Sequence, residues 1–274
     1  MELLIQQRLI ADVRALCSTD PRLDAAMMYG SFAYGEADVW SDIEFLLFFD
    51  DDAFDNIEPH AWLSQLAPVA HLYVNEHGIV CVLFDIPGSG LIRGEFHVHR
   101  LSDVTIGESW RGVLTFPSLE STLIVDRSGR LAPYLEPIIG PPLPRDIPAQ
   151  MQFIADGFVN WMLFGHNVLR RGEYARALEI LTIIHRHLLH MARLVEGTTA
   201  HWLTPSRLLE SDLSPDAYER FAACTAALDP DALRGAYRAA WAWGDELLVA
   251  LHEQHGTGVP ETLRTRFSDL FARL

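Results

Sequence analysis

Cysteine and long apolar runs are both scarce in this 274-residue sequence. Its three cysteines, Cys17, Cys81 and Cys224, are far apart and follow neither metal-ligand spacing nor an even-numbered disulfide framework, so we expect free thiols in a reducing cytoplasm. No stretch approaches the roughly 18 apolar residues of a membrane span. The first residues mix apolar and charged side chains as a packed helix does, unlike a signal peptide. The sequence therefore predicts a soluble cytoplasmic protein without membrane contact.

Basic residues are also few. There are 21 Lys and Arg against 37 Asp and Glu, which gives a formal net charge of −16. Binding to a long phosphate backbone needs clustered cations, so nucleic acid is not expected as a partner, and a template-directed polymerase or tRNA-processing enzyme is disfavoured. An acidic surface suits a cationic small substrate. The 49% of hydrophobic residues can support one large core or two ordinary ones.

Proline marks a boundary near the middle of the chain, since residues 132–149 contain six prolines. We predict a first domain over 1–132, a linker over 133–149 and a second domain over 150–274. The first domain mixes predicted helices (3–17, 59–67) with predicted strands (25–29, 43–49, 69–75, 79–85, 91–99 and a possible one at 122–126). The second has helical periodicity throughout (150–171, 173–196, 215–228, 231–254, 260–273). The predicted fold class is α+β, a mixed-sheet domain followed by an all-α bundle.

Residues 30–44 carry the most informative pattern. Ile43 begins an apolar strand, so alternation places Asp42 and Glu44 on one face. Two carboxylates in one partly buried site repel each other unless compensated, and a hard divalent cation such as Mg²⁺ is the natural partner. Just upstream, Gly30 and Ser31 follow a short strand, where close backbone approach and a helix start favour a phosphate. The segment predicts a carboxylate-held metal beside a phosphate cradle.

These motifs resemble a known family. The pattern Gly-Ser-x-Ala-x-Gly followed by Ser-Asp-x-Glu is similar to that of the polymerase-β-like nucleotidyltransferases. Four blocks look like the longer, two-domain lincosamide nucleotidyltransferases, and they span both halves of the chain: residues 27–32, 41–45, 91–97 and 167–176. One departure from the wider superfamily is Glu44, where aspartate is commoner. The added methylene keeps the ligand type.

The resemblance implies a set of site residues. Asp42, Glu44 and Glu95 would be catalytic and would bind Mg²⁺, and Glu95 would hold metal or take the proton from the acceptor hydroxyl. Glu95 lies in an alternating segment that reads as the second arm of a hairpin after residues 79–84. The nucleotide would be held by the glycine, serine and arginine positions of the motifs, namely Gly30, Ser31, Ser41, Arg170, Arg171 and Arg176.

The activity implied is transfer of AMP from ATP to a hydroxyl of lincomycin or clindamycin, with Mg²⁺ and release of pyrophosphate. In-line attack on the α-phosphorus would use metal to activate the hydroxyl and stabilise the leaving charge. Two alternatives stay open: an aminoglycoside acceptor, for which Asp156, Glu173 and Glu179 are available acids, and a nucleotidyltransferase-fold module that binds or modifies a protein. The choice between ATP and GTP as donor and the identity of the modified hydroxyl also stay open.

The second domain is expected to form one wall of the substrate cleft, and the assembly is expected to be a homodimer. Its aromatic residues at helical spacing are interpreted as core. The histidines at 185, 187 and 190 alternate between helix faces, which favours structural or exposed roles over a metal site. His97 and His99 share a strand face with Glu95, so contact with nucleotide or substrate is an open possibility for one of them.

Overall fold

The computed structural model describes residues 4–274. The chain divides into two compact units between Leu143 and Pro144. No helix in the described part of the chain is both long and apolar enough to cross a bilayer.

The first unit is built from six strands and several short helices around one sheet. Its α-helices are α1 (Ile5–Thr19), α2 (Gly30–Tyr34), α3 (Asp51–Phe54), α4 (Pro59–Leu63), α5 (Leu119–Thr122) and α6 (Ala132–Leu135). Its strands are β1 (Leu23–Met28), β2 (Ile43–Phe49), β3 (Val69–Val74), β4 (Val80–Ile86), β5 (Gly90–Arg100) and β6 (Leu123–Asp126). Two 3₁₀ segments, Leu101–Trp110 and Glu136–Ile138, complete it.

The six strands form one mixed sheet in the order β3-β4-β5-β2-β1-β6. Only β2 and β5 pair in parallel among its described strands, and the remaining neighbours are antiparallel. Strands β4 and β5 form a hairpin, and β5 then lies beside β2. The sheet thus brings residues 43–49 next to residues 94–100, which are distant in sequence.

Strand alternation divides the side chains between the two faces of the sheet. On one face, Ile43, Phe45 and Phe96 belong to the buried core, as do Val82 and Phe84 on β4. Cross-strand partners share a face, so the intervening residues of β2, β4 and β5 point to the other side. That second face, called the site face below, carries the candidate functional side chains.

The second unit is all-helical. It contains α7 (Pro148–Arg170), α8 (Tyr174–Glu196), α9 (Leu209–Asp212), α10 (Pro215–Ala223), α11 (Pro230–His255) and α12 (Glu261–Ala272). The long helix α8 packs against α7 and α11. Proline at the first turn begins α10 and α11, where Ser214 and Asp229 accept from backbone N–H groups. Most of the predicted aromatic core is present: Phe158, Trp241 and Trp243 are buried in it, whereas Phe153 is 75% exposed.

The fold class predicted from the sequence is confirmed, a mixed sheet followed by a helical region. The first helix was predicted to start at residue 3, which lies outside the described residues. Within the described residues, this helix begins at Ile5. The helix start expected at Gly30 and Ser31 is present as the five-residue helix α2. The predicted helix 215–228 ends at Ala223.

The structure places the division of the chain differently from the predicted linker. Residues 133–138 form helical turns, and Leu135 and Ile138 are buried in the core of the first unit. Prolines 133 and 137 stand in the first turns of these short helices, where a missing N–H has no cost. Proline therefore starts helices here, and the extended segment before α7 is shorter than predicted.

Candidate active site

The three predicted carboxylates lie together on the site face. Glu44 in β2 and Glu95 in β5 are direct partners in the parallel register. Asp42 comes one residue before β2, two positions from Glu44 and on the same side. All three side chains are partly buried. Adjacent strands therefore gather three negative charges in one place, as the sequence predicts.

An arginine compensates two of these charges. Arg93, two residues before Glu95 on β5, donates Nη1 to Asp42 Oδ2 and Nη2 to Glu95 Oε1. Alternation places Arg93 on the same face as Glu95, so a single guanidinium reaches both carboxylates. The acidic cluster thus has an internal cation.

Tyr29 fixes the second oxygen of Glu95. Its hydroxyl donates to Glu95 Oε2 at 3.3 Å and lies 2.9 Å from Nε2 of His97. Burial raises the pKa of Tyr29, and the carboxylates of Glu44 and Glu95 raise it further. The phenol is therefore a neutral hydrogen-bond donor at physiological pH.

Two histidines continue this row along β5. Burial lowers the pKa of His97, and the neighbouring His99 lowers it further. Burial also lowers the pKa of His99. Both rings favour the neutral form, and His97 contacts Tyr29 edge to face with ring centroids 5.5 Å apart. His97 therefore lies in the network around Glu95, whereas His99 stacks on Phe48.

The Gly30–Ser31 turn lies directly against the cluster. Gly30 has φ +71°, and a Cβ placed there would overlap Oε2 and Cδ of Glu44. The backbone is held in register by Tyr29 N–H, which donates to the carbonyl of Glu44 at 3.0 Å. Glycine is required here because both the left-handed φ and the close approach exclude a side chain. The turn is thus part of the carboxylate site.

Ser41 closes a tight turn before Asp42. Its hydroxyl donates to Asp38 Oδ1 at 3.1 Å and accepts from the N–H of Asp38 at 3.0 Å. The buried amide of Gln6 donates to the carbonyls of Val39 and Ser41. The Ser41 hydroxyl is therefore engaged in the turn that positions Asp42, so the structure supports a positioning role beside the predicted nucleotide contact.

The donor set fits a hard divalent cation. Asp42, Glu44 and Glu95 place their carboxylates on the same side of the sheet, and carboxylate oxygens are the ligands that Mg²⁺ prefers. Among residues 4–274 no three His, Cys, Asp or Glu side chains are arranged as a preformed metal site. Since Arg93 lies between two of the carboxylates, its guanidinium must move for all three to bind one ion.

The predicted arginines belong to the second unit, at the junction of α7 and α8. Arg176 donates to Glu173 Oε2 at 3.2 Å, and its guanidinium lies 5.3 Å from the centre of the Phe164 ring. Arg171 is 3.8 Å from the same glutamate. Arg170 stands in the last turn of α7. The structure thus gathers two of the three arginines around one acid, and nucleotide binding by them stays a prediction.

The histidines of α8 have structural contacts. His185, His187 and His190 each bond a different backbone carbonyl, those of Cys224, Ile154 and Trp202 respectively. Burial lowers the pKa of all three, that of His190 to about 4. Their rings therefore tie helices and loops together, in line with the structural interpretation.

Arg93 and Tyr29 are the site residues that sequence reasoning missed. Arg93 was detectable, because residues 93, 95 and 97 of an alternating strand share a face. Tyr29 was not detectable from the sequence, since its phenol contacts Glu95 across the intervening strand β2. That contact depends on the order of the strands in the sheet.

Comparison with known proteins supports the predicted resemblance. Residues 148–269 match the family model described as "Lincosamide nucleotidyltransferase-like, C-terminal domain". The match covers most of the second unit and supports the predicted resemblance there. No curated protein matches the chain in sequence.

Twelve chains of solved structures match the fold. An aminoglycoside 6-adenyltransferase from Bacillus subtilis is similar over 97% of both chains, with 11% identity and a TM-score of 0.45. A nucleotidyltransferase-like protein from Exiguobacterium sibiricum 255-15 is similar over 98% of this chain and 89% of that chain, with 13% identity and a TM-score of 0.37.

Proposed function

We infer that this chain, whose helical unit matches the lincosamide nucleotidyltransferase-like C-terminal domain model, transfers AMP from ATP to a hydroxyl of a lincosamide antibiotic. The observation that carries the proposal is the pairing of Glu44 with Glu95 in adjacent parallel strands, with Asp42 beside them. Three carboxylates next to a close-approach glycine turn suit a metal-bound triphosphate. The match to this family model supports a lincosamide as the acceptor.

Asp42, Glu44 and Glu95 are proposed to hold Mg²⁺, which when bound would stabilise negative charge on the phosphates and lower the pKa of the acceptor hydroxyl. The backbone of Gly30 and Ser31 is proposed to bind the outer phosphates, and the Ser41 turn to keep Asp42 in place. Release of Arg93 from the carboxylates frees a guanidinium beside the triphosphate, where it can pair with phosphate oxygens.

Proton transfer is assigned to Glu95. Its Oε2 accepts from Tyr29, which fixes the orientation of the carboxylate, while its other oxygen faces Arg93. A neutral His97 on the far side of the Tyr29 hydroxyl keeps positive charge away from this network. These contacts orient Glu95 to accept the proton of the hydroxyl that attacks the α-phosphorus.

Arg170, Arg171 and Arg176 are proposed as further phosphate ligands, and a homodimer is proposed as the assembly. Both proposals rest on the sequence resemblance. Glu173, which pairs with Arg176, is expected to be released when a phosphate takes its place. Sedimentation analysis would test the dimer, and nucleotide affinity of Arg176→Gln would test the arginines.

The test is mass spectrometry of lincomycin, clindamycin and kanamycin after incubation with the protein, ATP and Mg²⁺. We expect one added adenylate on the two lincosamides and none on kanamycin. The Asp42→Asn variant should be inactive, whereas Asp52→Asn, a matched change at an exposed carboxylate of α3, should retain activity. Adenylation of kanamycin alone would favour the aminoglycoside alternative, and no adduct on any of the three would refute the proposal.

A further inference from the structure

The carboxylates lie in a row of cross-strand partners that extends to the edge of the sheet. Glu44 pairs with Glu95, Glu95 pairs with Cys81, and Cys81 pairs with Tyr73 on the edge strand β3. Directly paired residues point to the same face. Tyr73 is therefore on the site face, two strand spacings or about 10 Å from Glu95.

Tyr73 is the centre of a small exposed apolar surface, here called the aromatic patch, which consists of His71, Tyr73, Leu83 and Leu91. The rings of His71 and Tyr73 are stacked with centroids 5.9 Å apart. Register places Leu83 opposite His71, while Leu91 is 62% exposed on the site face of β5. Tyr73 itself is 51% exposed.

Tyr73 lies beside Cys81, its register partner on β4. The pKa of Tyr73 is raised, chiefly by the side chain of Cys81, which is its partner on β4. Cys81 is in turn the partner of Glu95. The aromatic patch is thus continuous with the carboxylates through a single buried thiol.

The phosphate turn lies on the other side of the carboxylates. Gly30 follows β1 and contacts Glu44, whereas the aromatic patch lies on β3, β4 and the start of β5, on the opposite side of β2 from β1. In phosphoryl-type transfer the attacking and leaving oxygens are roughly in line on opposite sides of the phosphorus. With the outer phosphates at Gly30, the acceptor hydroxyl must approach from the side of the aromatic patch.

We propose that the aromatic patch binds the apolar part of the acceptor and selects an amphipathic hydroxylated acceptor over a polycation. This inference rests on the proposed nucleotidyl transfer. Strands β3 and β4 contain a single carboxylate, that of Asp85, which is exposed and is the register partner of Leu91. One carboxylate can pair with one amine of the acceptor. A lincosamide, with one basic amine and apolar groups, meets these conditions.

The experiment compares Tyr73→Ser with Val74→Ser, a matched change at an exposed residue on the opposite face of the same strand. Lincomycin affinity is measured by calorimetry with Mg²⁺ and a non-hydrolysable ATP analogue, and KM values for lincomycin and ATP are measured by turnover. We expect Tyr73→Ser to weaken lincomycin binding about tenfold with the KM for ATP unchanged, since a stacked aromatic contributes about that much. Tyr73→Phe should retain wild-type affinity.

Failure of this inference and failure of the proposed function are distinguishable. Lincomycin adenylation with equal KM values in Tyr73→Ser and Val74→Ser would overturn the aromatic patch alone. Lincomycin binding that depends on Tyr73 without AMP transfer would support the patch and overturn the proposed reaction. Absence of both binding and transfer by the wild-type protein would overturn both. Should Tyr73→Ser fail to fold, Leu91→Ser tests the same surface from β5.

Discussion

The Glu44 carboxylate lies against the backbone of Gly30, where the turn after β1 meets the acidic cluster. Oε2 and Cδ of Glu44 occupy the space that a Cβ at position 30 would need, and φ of +71° at Gly30 further disfavours any side chain. The turn at Gly30 is therefore in direct contact with Glu44, a proposed metal ligand. A side chain at position 30 would therefore displace the Glu44 carboxylate.

Gly30→Ala should displace Glu44 and weaken binding of a divalent cation at least tenfold, because one of three ligands is pushed away. Mn²⁺ binding followed by electron paramagnetic resonance measures this without turnover. The free energy of unfolding should also fall by about 1 kcal/mol, since alanine is strained at positive φ.

Gly35→Ala is the matched control for that change. Gly35 has φ +74° at the end of α2, but no atom lies within 4 Å of a Cβ placed there. It should therefore lose a similar amount of stability and keep its Mn²⁺ affinity. Equal Mn²⁺ affinities for the two variants would show that Glu44 does not bind the ion from the observed position.

Most of the framework around this site was predictable, because the signals are local. The apolar run 43–49, the alternation of residues 94–99 and the pair Asp42 and Glu44 depend on strand geometry alone. Their meeting was also within reach, since the hairpin prediction brings Glu95 beside the first strands. The contact between Glu44 and Gly30 was only partly anticipated, as a place of close backbone approach.

What the sequence could not supply is the identity of the compensating groups. Repulsion between carboxylates required a cation, and the structure shows that Arg93 is one such cation within the chain. The reach of Tyr29 and the row from Glu95 to Tyr73 depend on the order of non-consecutive strands. Strand order is set by the whole core, and no local pattern encodes it.

Arg93→Gln should raise the affinity for Mn²⁺. The guanidinium bridges Asp42 and Glu95, so a metal ion has to compete with it, and removal of one nearby positive charge strengthens binding of another cation roughly tenfold. A calorimetric titration of the nucleotide-free protein measures the change.

Arg100→Gln is the control for the Arg93 variant. Arg100 lies on the same strand and pairs with Asp55, outside the carboxylate cluster. Its loss should leave Mn²⁺ affinity within about twofold of wild type. A fall in Mn²⁺ affinity in Arg93→Gln would mean that the guanidinium organises the ligands and does not compete with the ion.

Tyr29→Phe should lower kcat for AMP transfer roughly five- to tenfold while the KM for ATP is unchanged. The change removes the hydroxyl that donates to Glu95 Oε2 at 3.3 Å but keeps the ring, so Glu95 loses orientation and the fold loses about 1 kcal/mol. Steady-state kinetics on lincomycin and ATP, together with urea unfolding, measure both effects.

Tyr34→Phe provides the comparison for Tyr29. The hydroxyl of Tyr34 donates to the carbonyl of Thr115 at 2.8 Å, so this variant also loses one tyrosine hydrogen bond. It should show a comparable loss of stability with normal kcat. A normal kcat in Tyr29→Phe would remove Tyr29 from the positioning of Glu95.

The helical unit should lose stability on acidification through His190. Burial lowers the pKa of His190 to about 4 in the folded chain, against an ordinary value of 6.5, and its Nε2 contacts the carbonyl of Trp202 at 3.0 Å. Between these two pH values the unfolded chain binds a proton that the folded chain does not. This contribution to the free energy of unfolding is therefore fully present above pH 6.5 and is lost as pH falls towards 4.

Linkage puts the loss from His190 at about 2 kcal/mol between pH 7 and pH 5. In His190→Gln this part of the pH dependence should disappear, whatever the variant's stability at pH 7. His252→Gln, at an exposed position of α11, should retain the wild-type slope. Urea unfolding at several pH values, followed by circular dichroism, measures the slope. The same slope in His190→Gln and wild type would contradict the assignment, because His185 and His187, whose pKa values burial also lowers, would then account for the acid response.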